Sequence, residues 1–452
     1  MRVHFIAVGG SAMHNLAIAL HKKGYKVTGS DDEIVEPSKG RLLKYGLLPS
    51  QIGWNPSCID SSIDAIILGM HARIDNPELL KAQELGLKIY SYPDYIYEQT
   101  KDKTRVVVAG SHGKTTITSI ILHVLKHNNV KCDYLVGAQL EGFETMVNLE
   151  HESKVAIIEG DEYLASPIDR RPKFHIYKPH IAILSGIAWD HINVFPTFEN
   201  YVDQFRQFLN MFEPNGTIVY CKEDEWVQKV VTENKSGLEK LPYAVPENFI
   251  ENGVSFLKTS FGNIPLKVFG NHNLMNLNGA RIVCNKIGIS DADFYNAIST
   301  FKGAAKRLEL VKKNDQTAIY KDFAHSPSKL KATIMATKQQ YPNRKLIACM
   351  ELHTFSSLNE NFLKEYSGAM DDCDVAVVYF NPHTIAHKKL KPITIEQVQQ
   401  SFMNNAIKVF TSSNDVREFI KKNKFDNTNL LLMSSGNFDG IDFAKFADEL
   451  IN

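Results

Sequence analysis

The chain reads as an α/β protein of three domains: a Rossmann-like first domain, a central phosphate-loop ATPase-type mixed-sheet domain, and a Rossmann-like C-terminal domain. Three observations predict this. Its 452 residues exceed what one ordinary hydrophobic core serves. Short apolar runs ending in glycine, acidic or histidine residues alternate with helical stretches, as in parallel-sheet units. The stretch "RVVVAGSHGKTTITSIILHVL", residues 105–125, reads as a strand, a glycine turn and a helix. The domains are expected at 1–103, 104–303 and 304–452.

The first segment opens with the strand "VHFIAV", the turn "GGSAM", the helix "HNLAIALHKKG" and the strand "YKVTGSD", the start of a βαβ unit. Asp31 falls about where a dinucleotide fold places its ribose ligand. A full Gly-x-Gly-x-x-Gly fingerprint needs glycine at 8 and 13, where Val8 and Met13 stand, so a variant Rossmann-like domain for another nucleotide is expected. The strand "DAIILGM" and the segment "HARIDNPELLKAQELG" continue the alternation.

In the second segment the turn is the short form Gly110-x-x-Gly113-Lys114-Thr115, since Val108 occupies the place of the usual first glycine. Backbone N–H groups and the positive helix end cradle phosphate in such a turn, while the lysine and hydroxyl meet phosphate and magnesium. The strands "KVAIIEGDE" and "HIAILSGIAWDH" end in acidic and histidine residues, at the sheet edge where open α/β folds bind ligands. Glu159 suits a hard cation beside Thr115, and His191 a second metal position. The other readings are a solvated acidic turn and a structural histidine. Beyond "PNGTIVYCKED" shorter antiparallel strands are expected, then "FGNHNLMNLNGARIVCNKIGI", a turn into a helix with Asn271 suited to its N-cap. The third segment holds "KRLELV", "TAIYKDFAHSP", "KLIACMELH", "VAVVYF" and "NLLLMSSGNFDGI", again strands alternating with helices.

Composition narrows the function. Lys plus Arg and Asp plus Glu both number 51, so no global basic excess favours nucleic acid or an anionic membrane, and any anion site is local. No segment approaches the roughly 20 apolar residues that span a bilayer, and "MRVHFIAVGG" suits a first strand better than a signal peptide, so a cytoplasmic protein is expected. The six cysteines form no Cys-x-x-Cys pair, which suggests neither a disulfide framework nor a zinc site.

Taken in order, "GGSAM", "TGSD", "GSHGKTT", "EGDEY", "WDH", "GNHNLMN", "KRLEL", "DFAHSP" and "SSGNFDG" resemble the Mur ligase family over essentially the whole chain. The resemblance implies an enzyme, an ATP-dependent carboxylate–amine ligase using Mg2+. UDP-N-acetylmuramate would be its carboxyl substrate, with a peptide or amino acid as acceptor, and the protein a monomer or weak dimer. "DEYLASPIDRRPKF" resembles the branch that adds L-alanyl-γ-D-glutamyl-meso-diaminopimelate in peptidoglycan recycling. "ELHTFSSLNENF" is nearer the branch that adds L-alanine. Folylpolyglutamate synthetase and a nucleotide switch without ligation are the further alternatives.

The resemblance also implies site residues. Gly110, Ser111, His112, Gly113, Lys114, Thr115 and Thr116 would hold ATP phosphates, with metal on Thr115, Glu159 and His191. His272, Asn273 and Asn276 match positions beside the adenine, and Arg307, Asp322 and His325 match third-domain positions near the nucleotide. Lys114, Glu159, His191 and Arg307 would carry the chemistry. Gly9, Gly10, Ser11, Ala12 and Met13 match the turn that meets the UDP diphosphate, with Ser30 and Asp31 near the uridine, and His71 matches a polar position that follows the next strand. Arg170, Arg171 and Lys173 would meet substrate carboxylates or phosphates, or stand as solvated surface. The chain departs from the family at Lys321-Asp322 and His325-Ser326, where Asp-Asp and His-His are usual.

Overall fold

The computed structural model describes residues 1–189, 194–305, 307–404 and 406–451. Parallel strands and intervening helices dominate, as the alternating pattern predicts. In the first sheet β1 (Arg2–Ile6), β2 (Lys26–Ser30), β3 (Ala65–Leu68) and β4 (Ile89–Ser91) are parallel in the order β2-β1-β3-β4. Ile6 pairs with both Ser30 and Leu68, so the Gly9–Gly10 turn, Asp31 and the chain beyond β3 share one sheet edge.

The second sheet contains β5 (Thr104–Ala109), β6 (Asp133–Leu135), β7 (Val147–Asn148), β8 (Val155–Glu159), β9 (Ile181–Leu184), β10 (Thr217–Cys221) and β11 (Glu239–Tyr243). Its order is β11-β10-β9-β5-β8-β6-β7, and only the β6–β7 pair is antiparallel. The first strand after Cys221 therefore differs from the antiparallel expectation: β11 joins the parallel sheet beside β10. Antiparallel pairing begins with β12 (Asn248–Glu251), β13 (Val254–Thr259) and β14 (Gly262–Leu266), where connections are too short for a crossover helix.

The last sheet holds β15 (Glu309–Lys313), β16 (Ala318–Asp322), β17 (Lys345–Leu352), β18 (Val375–Phe380), β19 (Lys408–Phe410) and β20 (Thr428–Met433), ordered β15-β16-β20-β17-β18-β19. Only β15 runs antiparallel to its neighbour. Along β17, Leu346, Ala348, Met350 and Leu352 join one buried cluster while Ile347 and Cys349 join another, so both faces are covered. That explains its near-continuous apolar run.

The chain forms two compact units: 1–187 with 199–244 and 279–297, and 188–198 with 245–278 and 298–452. Residues 245–278, grouped by sequence with the central segment, cluster with the C-terminal sheet. The first unit is knotted by Arg105, which is 1 % exposed on β5. Its guanidinium donates to the carbonyls of Thr100 (3.1 Å), Lys101 (2.7 Å) and Tyr177 (2.8 Å) and to Glu213 Oε1 (2.6 Å). It thereby ties the end of the helix Tyr92–Thr100 to the second sheet. Arg105→Met is expected to lower stability by roughly 2–4 kcal/mol, since these acceptors lose their donor together. Arg105→Lys should recover little, because an ammonium lacks the planar fork. Denaturant unfolding checks this; a loss of less than about 1 kcal/mol for Met would contradict it.

Candidate nucleotide site

Strand register assembles the phosphate loop. Val108 pairs with Glu159 and Ala109 with Leu184, so β5, β8 and β9 end side by side. Gly110 turns off β5 at φ 121°, and Gly113 at φ 75° precedes the helix Lys114–His127. A Cβ on Gly110 would lie 2.4 Å from Ser185 Oγ, so glycine is required there by both space and conformation. Ser111 N–H donates to Gly186 O at 2.9 Å, Ser185 N–H to Ala109 O at 3.1 Å, and Ser185 Oγ donates to His112 O. The His112 ring lies where a Gly186 side chain would stand. The loop is thus bonded across its width to the end of β9.

At the helix start Lys114 Nζ donates to Gly110 O at 2.7 Å and to Glu162 Oε2 at 2.5 Å. Burial pulls its pKa down, but the charges of Glu162, Asp161 and Glu159 outweigh that and hold it above the ordinary lysine value. Thr115 Oγ1 donates to Glu159 Oε1 at 2.9 Å, and Gly137 N–H donates to Glu159 Oε2 at 2.9 Å. Thr116 is buried in the same first turn. The predicted Thr115 and Glu159 therefore meet; His191 lies outside the described residues. Glu162, Gly137 and Tyr201 were not singled out from sequence, although Glu162 stands in the quoted "EGDEY".

In the first domain, Gly9 N–H donates to Asp31 Oδ2 at 2.6 Å, and Ser30 O accepts from Ala7 and Val8 N–H. Burial raises the Asp31 pKa, opposed by the Gly9 bond. Asp31 thus pins the glycine turn beside the position expected for the uridine. Ser11, Ala12 and Met13 open the helix Ser11–Lys22 behind Gly10. His71 is exposed beyond β3. Asn15 Oδ1 on that helix accepts from Met146 N–H at 2.9 Å, and Arg41 donates to Gln139 Oε1 at 2.7 Å. The loop carrying Gly137 is thereby anchored to the first domain.

The basic run after "EGDEY" is partly paired: Arg171 with Asp169 (2.6 Å) and Asp94 (3.7 Å), Lys173 with Asp161 (2.7 Å). Arg170 is exposed with no ion pair among the described residues.

Within the second unit, Asp322 accepts the N–H groups of Leu308 and Ala324, each at 2.6 Å. Burial raises its pKa, with the Arg307 charge acting against the rise. Arg307 lies over the Phe323 ring, 4.5 Å from its centroid, and His325 Nδ1 is 2.7 Å from Phe323 O, so these three residues come together. Lys321, one departure, forms an ion pair with Glu309 at 2.8 Å across β15 and β16, so its charge is compensated. Ser326 occupies the N-cap position of the helix Pro327–Gln340. The helix Asn271–Lys286 starts one residue earlier than predicted: Gly270 O accepts from Asn273 and Leu274 N–H, leaving Asn271 as its first residue. Asn273 Nδ2 is turned back to Phe269 O at 2.9 Å, His272 is half-buried and Asn276 is buried. Among the described residues no group of three or more His, Cys, Asp or Glu is arranged to hold a metal, and no helix is long and apolar enough to cross a membrane.

Three family models cover most of the chain: the Mur ligase family catalytic domain at residues 2–104, the Mur ligase middle domain at 108–284 and the Mur ligase glutamate ligase domain at 306–436. A UDP-N-acetylmuramate–L-alanine ligase of Carboxydothermus hydrogenoformans is 26% identical, over 98% of this chain and 96% of that one. Among solved structures, a murein peptide ligase of Psychrobacter arcticus is 21% identical with TM-score 0.66, covering 100% of this chain and 98% of that one. The UDP-N-acetylmuramate-alanine ligase of Thermotoga maritima is 19% identical with TM-score 0.69, covering 99% and 98%. At these identities both show the shared fold. With all three domain models matched in order, the chain belongs to the Mur ligase family of ATP-dependent carboxylate–amine ligases.

Proposed function

We propose that this protein joins the lactoyl carboxylate of UDP-N-acetylmuramate to the amino group of L-alanyl-γ-D-glutamyl-meso-diaminopimelate, in the cytoplasm, through an acyl phosphate. The observation that carries the ligase chemistry is the loop itself, with Lys114, Thr115 and Glu159 on one helix start and one strand end. A carboxylate is a poor electrophile, so transfer of the γ-phosphoryl of ATP to it supplies a leaving group, and the amine then displaces phosphate. The barrier lies in bringing two anions together, which requires fixed cations and dipoles. Lys114 and the loop N–H groups would neutralise phosphate oxygens, and the helix N-terminus adds its positive end.

The hydroxyl of Thr115 and the carboxylate of Glu159, 2.9 Å apart, are hard oxygen donors of the kind Mg2+ takes. Bound there, Mg2+ would offset the repulsion between phosphate and carboxylate. Gly137 N–H orients the Glu159 carboxylate, and the packed loop keeps Thr115 facing it. In the first domain the Gly9–Met13 turn would receive the UDP diphosphate, with Asp31 holding its shape. By the family pattern, Arg307, Asp322 and His325, which come together in the second unit, are further proposed nucleotide residues.

The tripeptide reading is supported by the stretch "DEYLASPIDRRPKF", whose exposed Arg170 suits an acceptor with several carboxylates, beside Arg171 held by Asp169. A second reading, L-alanine as acceptor, is supported by the full-length L-alanine ligase relative and by "ELHTFSSLNENF".

Phosphate release with ATP, Mg2+ and UDP-N-acetylmuramate, paired with mass spectrometry of the product, separates these readings. Turnover with the tripeptide and not with L-alanine is expected. The reverse preference establishes the second reading, and turnover independent of any acceptor contradicts both. Gly137→Ala tests the cation site, since its Cβ would stand 2.7 Å from Glu159 Oε1. Turnover is expected to fall about tenfold or more, with a higher Mg2+ concentration at half-activity and unchanged circular dichroism. An unaltered Mg2+ dependence would contradict the Glu159 role.

A further inference from the structure

The phosphate-loop lysine carries an internal counter-ion that the proposed reaction does not use. Glu162 is 2 % exposed, and its Oε2 takes the Lys114 ammonium at 2.5 Å. Its other oxygen, Oε1, accepts from the Tyr201 hydroxyl at 3.2 Å. That hydroxyl is in turn 2.9 Å from Ser111 Oγ, in the loop itself. Tyr201 is fully buried on the helix Phe198–Phe208, edge-on to Phe205 at 5.2 Å between centroids.

A buried ion pair is not by itself a source of stability, and a carboxylate beside a phosphate position repels the ligand the lysine is there to bind. Orientation resolves this. An ammonium has three N–H donors on a flexible stem. Gly110 O and Glu162 Oε2 take two of them, leaving one uncommitted among the described residues. Resting on the reading that this loop holds ATP phosphates, we infer that Glu162 is a positioning residue: with Tyr201 it fixes the Lys114 ammonium so that its remaining N–H meets the transferring phosphoryl group. The repulsion weakens ground-state nucleotide binding, while the fixed donor favours the transition state, where added charge develops.

The two effects separate in measurement. Glu162→Gln keeps the shape and removes the charge. It is expected to lower kcat about tenfold to a hundredfold while the Kd for ATP, measured calorimetrically, stays equal or becomes tighter. Glu162→Asp should recover part of kcat. Tyr201→Phe, which retains the buried ring, should lower kcat less and leave the Kd for ATP unchanged. The inference is overturned if Kd weakens by the same factor as kcat in both Glu162→Gln and Tyr201→Phe, or if both turn over like the unaltered protein. Lys114→Ala, measured alongside, identifies which idea has failed. If it still binds ATP normally, the loop reading itself is wrong. If it loses ATP while the other two variants are unaffected, only the positioning role falls.

Discussion

The phosphate loop is shaped by the backbone of a neighbouring strand. Gly110 leaves β5 in a conformation few other residues adopt, with no room for a side chain between it and Ser185. The loop's own polar groups are then matched to the end of β9: Ser111 N–H to Gly186 O, Ser185 Oγ to His112 O. Because β5 sits between β8 and β9, fixing the loop on one neighbour also fixes its distance from Glu159 on the other. Lys114 and Thr115 meet their acidic partners as a consequence of register. The geometry of the proposed site thus rests on a glycine and two strand ends, which suits a site whose electrostatics must be organised before substrate arrives.

A continuous set of hydrogen bonds extends that order through the first unit. Asp31 holds the Gly9 turn, and the helix after that turn presents Asn15 to Met146 N–H. The same 136–146 segment supplies Gly137 N–H to Glu159, which accepts from Thr115. The proposed diphosphate turn and the proposed cation ligands are therefore joined by packed backbone rather than by a free linker.

Much of this was legible in the sequence, for identifiable reasons. The central strands of the parallel sheets announce themselves because they are buried on both faces, which leaves runs such as "VVVA" and "LLLM" with no polar alternation. The loop is legible because its glycines and lysine lie within a few residues of one another. Long-range pairings were not. Nothing local in "KLPY" marks β11 as a parallel strand beside β10, and nothing in "FENYVDQF" marks Tyr201 as a partner of the phosphate loop ninety residues earlier. Nor does the sequence around Lys321, a departure from the family pattern, show that the register of β15 places Glu309 opposite it. Asp31 is legible as an acidic residue at a strand end, but its bond to the Gly9 N–H is not, since a carboxylate at a sheet edge serves equally as acceptor for its own chain.

The defining step of the proposed reaction is the activation of a carboxylate by ATP. It is tested most directly by supplying UDP-N-acetylmuramate labelled with oxygen-18 in its lactoyl carboxylate, together with ATP and an accepted amine, and analysing the released phosphate by mass spectrometry. Attack of the carboxylate on the γ-phosphoryl group followed by displacement leaves one labelled oxygen in the inorganic phosphate. Phosphate released without label, with both labelled oxygens still on the sugar acid, would contradict acyl-phosphate chemistry and make the loop a site of hydrolysis alone.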